Sequence, residues 1–534
     1  MKGAELLVRC LEAEGVKHVF GIPGEENLDL MDALIGSDIE FVLTRHESSA
    51  AFMAGMVGRL TRRPGACLTT LGPGASNMVI GVAEAYLGYS PMVAMSGQVR
   101  TECQHHPRKQ YIDLPAMFRP ITKEVIPVRA AARLPDLARR AFDTAAQERP
   151  GPVFVELPED VLKEPVDGTP LPPGRTETLG SDLLSFDRVR KLIETAERPL
   201  VIAGAGVVRG SAADALRCFA SQWGIPVAMT WLGAGTVPFD DELSLGTVGL
   251  RRADFVRRAF EEADLVLLVG FDAMEFESQY WNIGAAKKIV YIGGAPCDVV
   301  PGPPPDVQIV GSVRKVLTTL CSDPERRPRW FDGIRSGLHE HLTTLPPEGD
   351  GAVKPQHIIK AIRDSLGRGD IAVSDVGAHL VWMAQRYPVY KDGTMLLSNG
   401  LIPMGVGVPW AIAAKLTRPE RKVVASVGDG SFAMTGMELE TAKRLGTPFV
   451  TVVWNDSRYD LIRIRQEKAF GRSNGVEFEN PDLVKFAESL GIEGYRASSA
   501  TELRETLARC LRDDALALID VTVDTSESSR LTVG

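Results

Sequence analysis

The chain has 534 residues, enough for about three or four domains, and its 44% hydrophobic and 24% charged content is that of an ordinary soluble globular protein. A net charge of −9 disfavours nonspecific binding to nucleic acid or to an anionic membrane, and no apolar run approaches the length of a membrane span. Seven scattered cysteines with no CxxC pair point to reduced, buried thiols in a cytoplasmic protein rather than to a disulfide framework.

Residues 4–14 read as an amphipathic helix carrying Glu5, Glu12 and Glu14, so no signal peptide is expected. A short strand at 17–20 ends in the turn Gly21-Ile22-Pro23-Gly24. A second, at 40–44, runs into Arg45-His46-Glu47 and a helix over 50–60. A strand at 66–71, a loop from Gly72 to Asn77, a helix at 78–86 and a strand at 92–96 continue the alternation. The strand at 152–157 closes a first domain, 1–165. Strands alternating with helices predict an α/β fold with a parallel, doubly wound sheet. The Pro-, Gly- and Thr-rich stretch 164–180 reads as a linker.

A central domain, 186–340, opens with a strand at 199–203 and Gly204-Ala205-Gly206, and has further strands at 263–270 and 288–292. Strand-Gly-x-Gly-helix is part of a dinucleotide fingerprint, but no acidic residue ends a second strand about twenty residues on. A tight turn between strand and helix is the better reading. The stretches 301–305 and 343–351 read as loops, and the tail 526–534 as a disordered end or a lid over the site, with composition favouring disorder.

The third domain, 352–525, opens with a helix at 356–366 and a strand at 371–374. Its centre is 421–466: a buried strand at 423–427, Gly428-Asp429-Gly430, a helix, then a buried strand at 448–454 ending in Asn455-Asp456. Two apolar runs joined by a helical crossover make parallel strands, with a right-handed connection in nearly all such units. Asp429 and Asp456, 27 positions apart, therefore follow the carboxyl ends of neighbouring strands, where open α/β sheets bind ligands. Gly428 and Gly430 are expected to permit a tight turn that aims N–H groups at an anion. Standing alone, a Gly-Asp-Gly reads better as a strand-to-helix turn with a helix capped by its aspartate. The second acidic strand end favours instead a clamp for Mg²⁺ and a diphosphate, since Mg²⁺ prefers a few protein oxygens plus phosphate oxygens.

The segments SVGDGSFAMTGMELETAKRL and VVWNDSRYDLI carry a wider resemblance, together with FGIPGEENLDLMDAL, RHESSAAFMA, TTLGPGASN, MFRPITK, GFDAMEFESQYWN, PMGVGVPWAIAAKL and GVEFENPDLVKFAESLG. In these motifs, spread over nearly the whole chain, the sequence resembles the acetolactate synthase (acetohydroxyacid synthase-like) branch of the thiamine-diphosphate enzymes. That resemblance implies three doubly wound parallel-sheet domains, pyrimidine-binding, central and diphosphate-binding, with thiamine diphosphate and Mg²⁺ as cofactors. It implies that Glu47 activates the coenzyme and that Pro73 and Asn77 lie against its aminopyrimidine. Met404 would wedge the coenzyme into its bent form, and the Ile402 carbonyl would accept its 4′-amino group. Gly377, Ala378 and His379, with Gly428, Gly430, Ser431, Phe432 and Tyr459, would line its diphosphate end. Asp429, Asp456 and the Arg458 carbonyl would bind Mg²⁺. A homodimer or homotetramer with sites between subunits follows from the same resemblance.

Departures from the family pattern bear on substrate. Gly270-Phe271-Asp272-Ala273-Met274-Glu275-Phe276 stands where flavin-dependent synthases carry an Arg-Phe-Asp-Asp-Arg-like segment, and it resembles the flavin-independent catabolic type, so FAD is not expected. The loop 104–113 keeps Gln110 but has Lys109 beside it; both are candidates for holding a substrate carboxylate. Arg463, Arg465 and Glu25 also depart from the usual residues. Long basic side chains can clamp a carboxylate or snorkel to solvent. The implied reaction is decarboxylation of pyruvate and transfer of the remaining two-carbon unit to a second 2-oxoacid, giving 2-acetolactate. The rival readings are a decarboxylase or carboligase with another acceptor and a non-catalytic subunit; the presence of Glu47, Asp429 and Asp456 argues against the last.

Overall fold

A computed structural model describes residues 1–104, 106–172, 183–249, 256–284, 286–299, 304–321, 329–349 and 351–531. Parts of five expectations lie outside the described residues: position 105 in the loop 104–113, 173–180 of the linker, 301–303 and 350 of the two loops, and 532–534 of the tail.

Among the described residues the strands form three six-stranded sheets, and every pairing within them is parallel. The first contains β1 (His18–Gly21), β2 (Glu40–Leu43), β3 (Gly65–Thr69), β4 (Met92–Gln98), β5 (Glu124–Pro127) and β6 (Pro152–Pro158), in the order β2-β1-β3-β4-β6-β5. The second contains β7 (Pro199–Ala203), β8 (Val227–Thr230), β9 (Ser244–Val248), β10 (Leu265–Val269), β11 (Lys288–Gly293) and β12 (Val307–Val310), in the order β12-β11-β10-β7-β8-β9. The third contains β13 (Ile371–Ser374), β14 (Met395–Leu396), β15 (Val423–Gly428), β16 (Val450–Asn455), β17 (Glu493–Ala497) and β18 (Ala517–Thr522), in the order β14-β13-β15-β16-β18-β17.

Sequence composition explains which strands sit centrally. A strand covered on both faces buries every side chain, so β10 reads Leu-Val-Leu-Leu-Val and β16 reads Val-Thr-Val-Val-Trp. Edge strands are short or polar: β14 has two residues, and β17 is Glu-Gly-Tyr-Arg-Ala. In each sheet the order reverses beside the first strand, between β1 and β3, β7 and β10, and β13 and β15. Ligands of such folds gather outside the carboxyl ends at these points.

The chain packs as two compact units. One comprises Met1–Glu177, Gly400–Glu420 and Phe432–Pro448 and holds the first sheet; the other comprises Thr178–Asn399, Arg421–Ser431 and Phe449–Gly534 and holds the second and third. The helices Gly407–Thr417 and Glu438–Leu445, which the sequence assigns to the third domain, thus pack within the first unit.

Three local expectations are corrected. The stretch 72–77 is not a loop, because the helix Gly72–Leu87 starts at its first residue and places Pro73 in its first turn, where a missing N–H costs nothing. The single crossover helix after β15 is two, Asp429–Thr435 and Glu438–Leu445. The described part of the tail is ordered: Thr525–Arg530 is a 3-10 helix capped by Asp524, Glu527 accepts from Gln356 Nε2 at 2.6 Å, and Leu531 is buried.

Candidate active site

The third sheet delivers Asp429 and Asp456 to one place. β15 ends at Gly428 and β16, its parallel neighbour, at Asn455, so the residues that follow emerge side by side. Asp429 is 3% exposed. Its Oδ1 accepts one N–H, from Gly430 at 2.7 Å. Its Oδ2 accepts from Asp456 N (3.2 Å), Ser457 N (2.7 Å) and Asn480 Nδ2 (2.7 Å). Burial raises the Asp429 carboxyl above its ordinary range, against the pull of these hydrogen bonds. Burial, followed by the charges of Asp429 and Asp460, pushes Asp456 up to about 8.

Two desolvated carboxylates whose ionised forms repel make a poor structural feature and a good cation site. Arg458 completes the set. Tyr459 N donates to Val476 O at 2.8 Å and Phe478 N to Ser457 O at 3.1 Å, so Arg458 and Glu477 form a pair that share no hydrogen bond. The Arg458 N–H and C=O therefore face away from residues 476–478. The N–H donates to Asp456 Oδ1 at 3.3 Å, which puts the carbonyl on the carboxylate side. No cluster of three or more His, Cys, Asp or Glu able to hold a metal occurs among the described residues. An ion here would draw on Asp429 Oδ1, Asp456, the Arg458 carbonyl and a ligand's oxygens, a hard donor set that fits Mg²⁺.

Gly428 and Gly430 are present for a different reason than a tight turn. The helix Asp429–Thr435 begins directly after β15, and neither glycine has a left-handed φ. A Cβ on Gly428 would stand 2.8 Å from His379 Cε1, and one on Gly430 would stand 2.5 Å from Tyr459 Cε1. Both are close-approach glycines. His379 lies one residue into the helix Ala378–Arg386 and is buried, and its Nε2 accepts the Gly428 N–H at 3.2 Å. Burial lowers its pKa to about 3, so it is a neutral acceptor. A Cβ on Gly377 would also collide with this ring, at 2.9 Å. The imidazole thus braces the ends of β13 and β15 against each other. Ser431 Oγ donates to Val376 O at 2.8 Å, a further tie between the same strand ends, and Phe432 is buried. The Tyr459 ring covers Gly430 and packs on Phe478, with centroids 5.0 Å apart.

In the first sheet, Glu47 follows the edge strand β2, beside β1. It is the first residue of the helix Glu47–Thr61 after β2, and it is 9% exposed. Asn77 Nδ2, on the helix that follows β3, donates to Glu47 Oε2 at 3.0 Å. His46 caps the Glu47 helix through Nδ1, which accepts from Ser48 N at 3.1 Å. Pro73 is exposed one turn before Asn77. The loop carrying Lys109 and Gln110 lies over the start of that second helix: Gln110 has φ +62°, and a Cβ on Gly72 would stand 2.1 Å from its carbonyl oxygen. Both side chains are exposed.

Ile402 has φ +58°, an uncommon and costly conformation for a β-branched residue, on the loop that leads through half-buried Met404 to the helix Gly407–Thr417. Gly405 follows at φ +91°, and its carbonyl accepts Thr435 Oγ1 at 2.9 Å. Arg463 is already committed, with Nη2 2.7 Å from Asp460 Oδ1 and Nη1 2.6 Å from Glu467 Oε2. Arg465 is exposed. Three contributors escaped the sequence reading: Asn480, which also donates to Asn455 Oδ1 at 2.9 Å, Phe478, and Glu438, which binds the turn before Glu47. The first two lie inside GVEFENPDLVKFAESLG, whose resemblance was the available signal.

In the second sheet, Gly204-Ala205-Gly206 is a turn closed by protein. Both carboxylate oxygens of the buried Glu275 accept the Ala205 N–H, at 3.1 and 3.0 Å, and Thr230 Oγ1 donates to Oε2. Arg209 pairs with the adjacent Asp272 at 2.8 Å. The amide that a phosphate takes at a dinucleotide turn is thus occupied by a side chain of this domain.

Residues 1–117 match the family described as thiamine pyrophosphate enzyme, N-terminal TPP binding domain; 186–320 match the central domain, and 375–521 the C-terminal TPP binding domain. An acetolactate synthase of Bacillus subtilis (strain 168) is 35% identical over 99% of this chain and 94% of its own length. The catabolic acetolactate synthase of Raoultella terrigena is 34% identical over 98% and 95%, and the acetolactate synthase isozyme 3 large subunit of Escherichia coli (strain K12) 32% over 99% and 96%. No helix among the described residues is long and apolar enough to cross a membrane.

Proposed function

The chain belongs to the acetolactate synthase family of thiamine pyrophosphate enzymes, and from that footing we propose that it condenses two molecules of pyruvate, with release of CO₂, into 2-acetolactate. The observation that carries the reading is the convergence of Asp429 and Asp456 at neighbouring strand ends. When bound, thiamine diphosphate would supply an electron sink for negative charge on the former keto carbon of the substrate.

The chain's own residues have separate tasks. Asp429, Asp456 and the Arg458 carbonyl would hold Mg²⁺ beside the diphosphate. The segments Gly377–His379 and Gly428–Phe432, with the His379 imidazole bracing the strand ends, would form the diphosphate floor, with Tyr459 at its edge. Ile402 would offer its carbonyl to the 4′-amino group of the coenzyme, and Met404 would pack against the coenzyme. Glu47, oriented by Asn77, hydrogen-bonds the aminopyrimidine, and Pro73 lies against that ring. Gln110 and Lys109 hold the substrate carboxylate, and exclusion of water favours carbon–carbon bond formation over release of an aldehyde. Sites lie between the subunits of a homodimer or larger homo-oligomer, in the cytoplasm. The occupied Gly204–Gly206 turn supports catalysis without flavin.

Incubation of the purified protein with pyruvate, Mg²⁺ and thiamine diphosphate tests this. Acetolactate as the main product is expected; acetaldehyde alone would identify a decarboxylase, and no consumption of pyruvate would point to another 2-oxoacid or to no catalysis.

A further inference from the structure

Glu438 is a buried carboxylate with no part in the chemistry assigned above. It opens the helix Glu438–Leu445 and is 1% exposed. Its Oε1 accepts two consecutive backbone amides, Arg45 N at 2.9 Å and His46 N at 3.1 Å. Its Oε2 accepts Thr441 Oγ1 at 2.7 Å. The next residue after His46 is Glu47. The segments so joined lie 392 and 393 residues apart in sequence.

This arrangement does more than fill space. One oxygen shared by two successive N–H groups fixes the peptide planes on both sides of Arg45, two residues before Glu47. The start of the helix Glu438–Leu445 favours the negative charge that makes both bonds strong. Thr441 holds the second oxygen, so the carboxylate cannot swing away. Glu47 is then constrained twice, in its backbone by Glu438 and in its side chain by Asn77.

We propose that Glu438 is a positioning residue for Glu47: it sets the line along which the Glu47 carboxylate meets the coenzyme ring, and it does so from the helical segment that follows the metal-binding Asp429 in the same chain. The inference rests on Glu47 being the activating group, as in the function proposed above. Misplacement of a reacting group by about 1 Å can cost on the order of a hundredfold in rate, whereas the diphosphate anchor does not involve this turn.

The test compares wild type with Glu438→Gln, which preserves shape and removes the charge. Calorimetric uptake of thiamine diphosphate with Mg²⁺ is expected to stay within about threefold of wild type. Exchange of the coenzyme's C2 proton for deuterium is expected to slow by on the order of 10–100-fold, and amide exchange at 44–50 to quicken in the coenzyme-free protein. Wild-type exchange at C2 in a coenzyme-bound Glu438→Gln protein overturns the positioning role alone. Failure of the wild type itself to take up coenzyme overturns the function on which that role rests. Thr441→Val frees Oε2 while leaving both amide bonds, and serves if Glu438→Gln does not fold. A several-fold slowing at C2 is then expected, and a wild-type rate again overturns the proposal.

Discussion

Asn480 Nδ2 stands 2.7 Å from Asp429 Oδ2, joining residues 51 positions apart across the mouth of the third sheet. The same amide reaches Asn455 Oδ1 at 2.9 Å, so one side chain ties the end of β16 to the carboxylate that follows β15. Asn480→Leu removes both bonds and leaves Asp429 underbonded in a buried place. A loss of about 1.5–3 kcal/mol in folding free energy is expected in denaturant titrations. Calorimetry should show Mg²⁺-dependent uptake of thiamine diphosphate weakened about tenfold or more.

Asp456 makes the site sensitive to pH. Its folded pKa of about 8 lies above the ordinary carboxyl value, so the folded state holds a proton that the unfolded chain has lost. Its contribution to stability is complete below the ordinary carboxyl range and is lost as pH rises through about 8. The coenzyme-free protein should therefore lose melting temperature between pH 6 and 8, and Asp456→Asn should flatten that slope. Binding of Mg²⁺ with the coenzyme requires the carboxylate form, so it should release close to one proton at pH 7 and much less at pH 9. Calorimetry in buffers of different ionisation enthalpy counts those protons.

Gly428→Ala tests the close approach of His379. The new methyl group meets the imidazole at 2.8 Å and must displace the ring that braces β13 against β15. A cost of about 1–3 kcal/mol is expected from overpacking, measurable by thermal unfolding, with weaker coenzyme uptake. An unchanged protein would show that the ring has room to move.

Arg463 and Lys109 should behave differently. Arg463 is committed to Asp460 and Glu467, so Arg463→Ala should leave KM for pyruvate within about twofold and lower stability by up to about 1 kcal/mol. Lys109→Ala should raise KM for pyruvate several-fold, as measured in steady-state assays, if its exposed ammonium meets the substrate carboxylate.

The parts of this site visible in the sequence were those with a local signature. Apolar runs ending in Gly-Asp-Gly and in Asn-Asp announced β15, β16 and their two carboxylates, because strands buried on both faces are continuous in composition. The role of the glycines was hidden, since their need arises from His379 and Tyr459, remote in sequence and close in space. The helix beginning at Gly72 looked like a loop because Gly-Pro-Gly is a turn signal when neighbouring packing is unknown. Polar edge strands such as β17 carry no apolar pattern to read. Asn480 and Glu438 act across 51 and more than 390 residues, and no spacing rule reaches that far.

The central claim is that Asp429 and Asp456 hold a divalent ion through which thiamine diphosphate is anchored. Calorimetric titration of the purified chain with thiamine diphosphate, in excess Mg²⁺ and again in excess chelator, addresses it directly. Saturable uptake of about one coenzyme per chain with Mg²⁺, lost with chelator and in Asp429→Ala, is the predicted result. Uptake of equal strength without the ion or without Asp429, or no uptake under any condition, would contradict the claim.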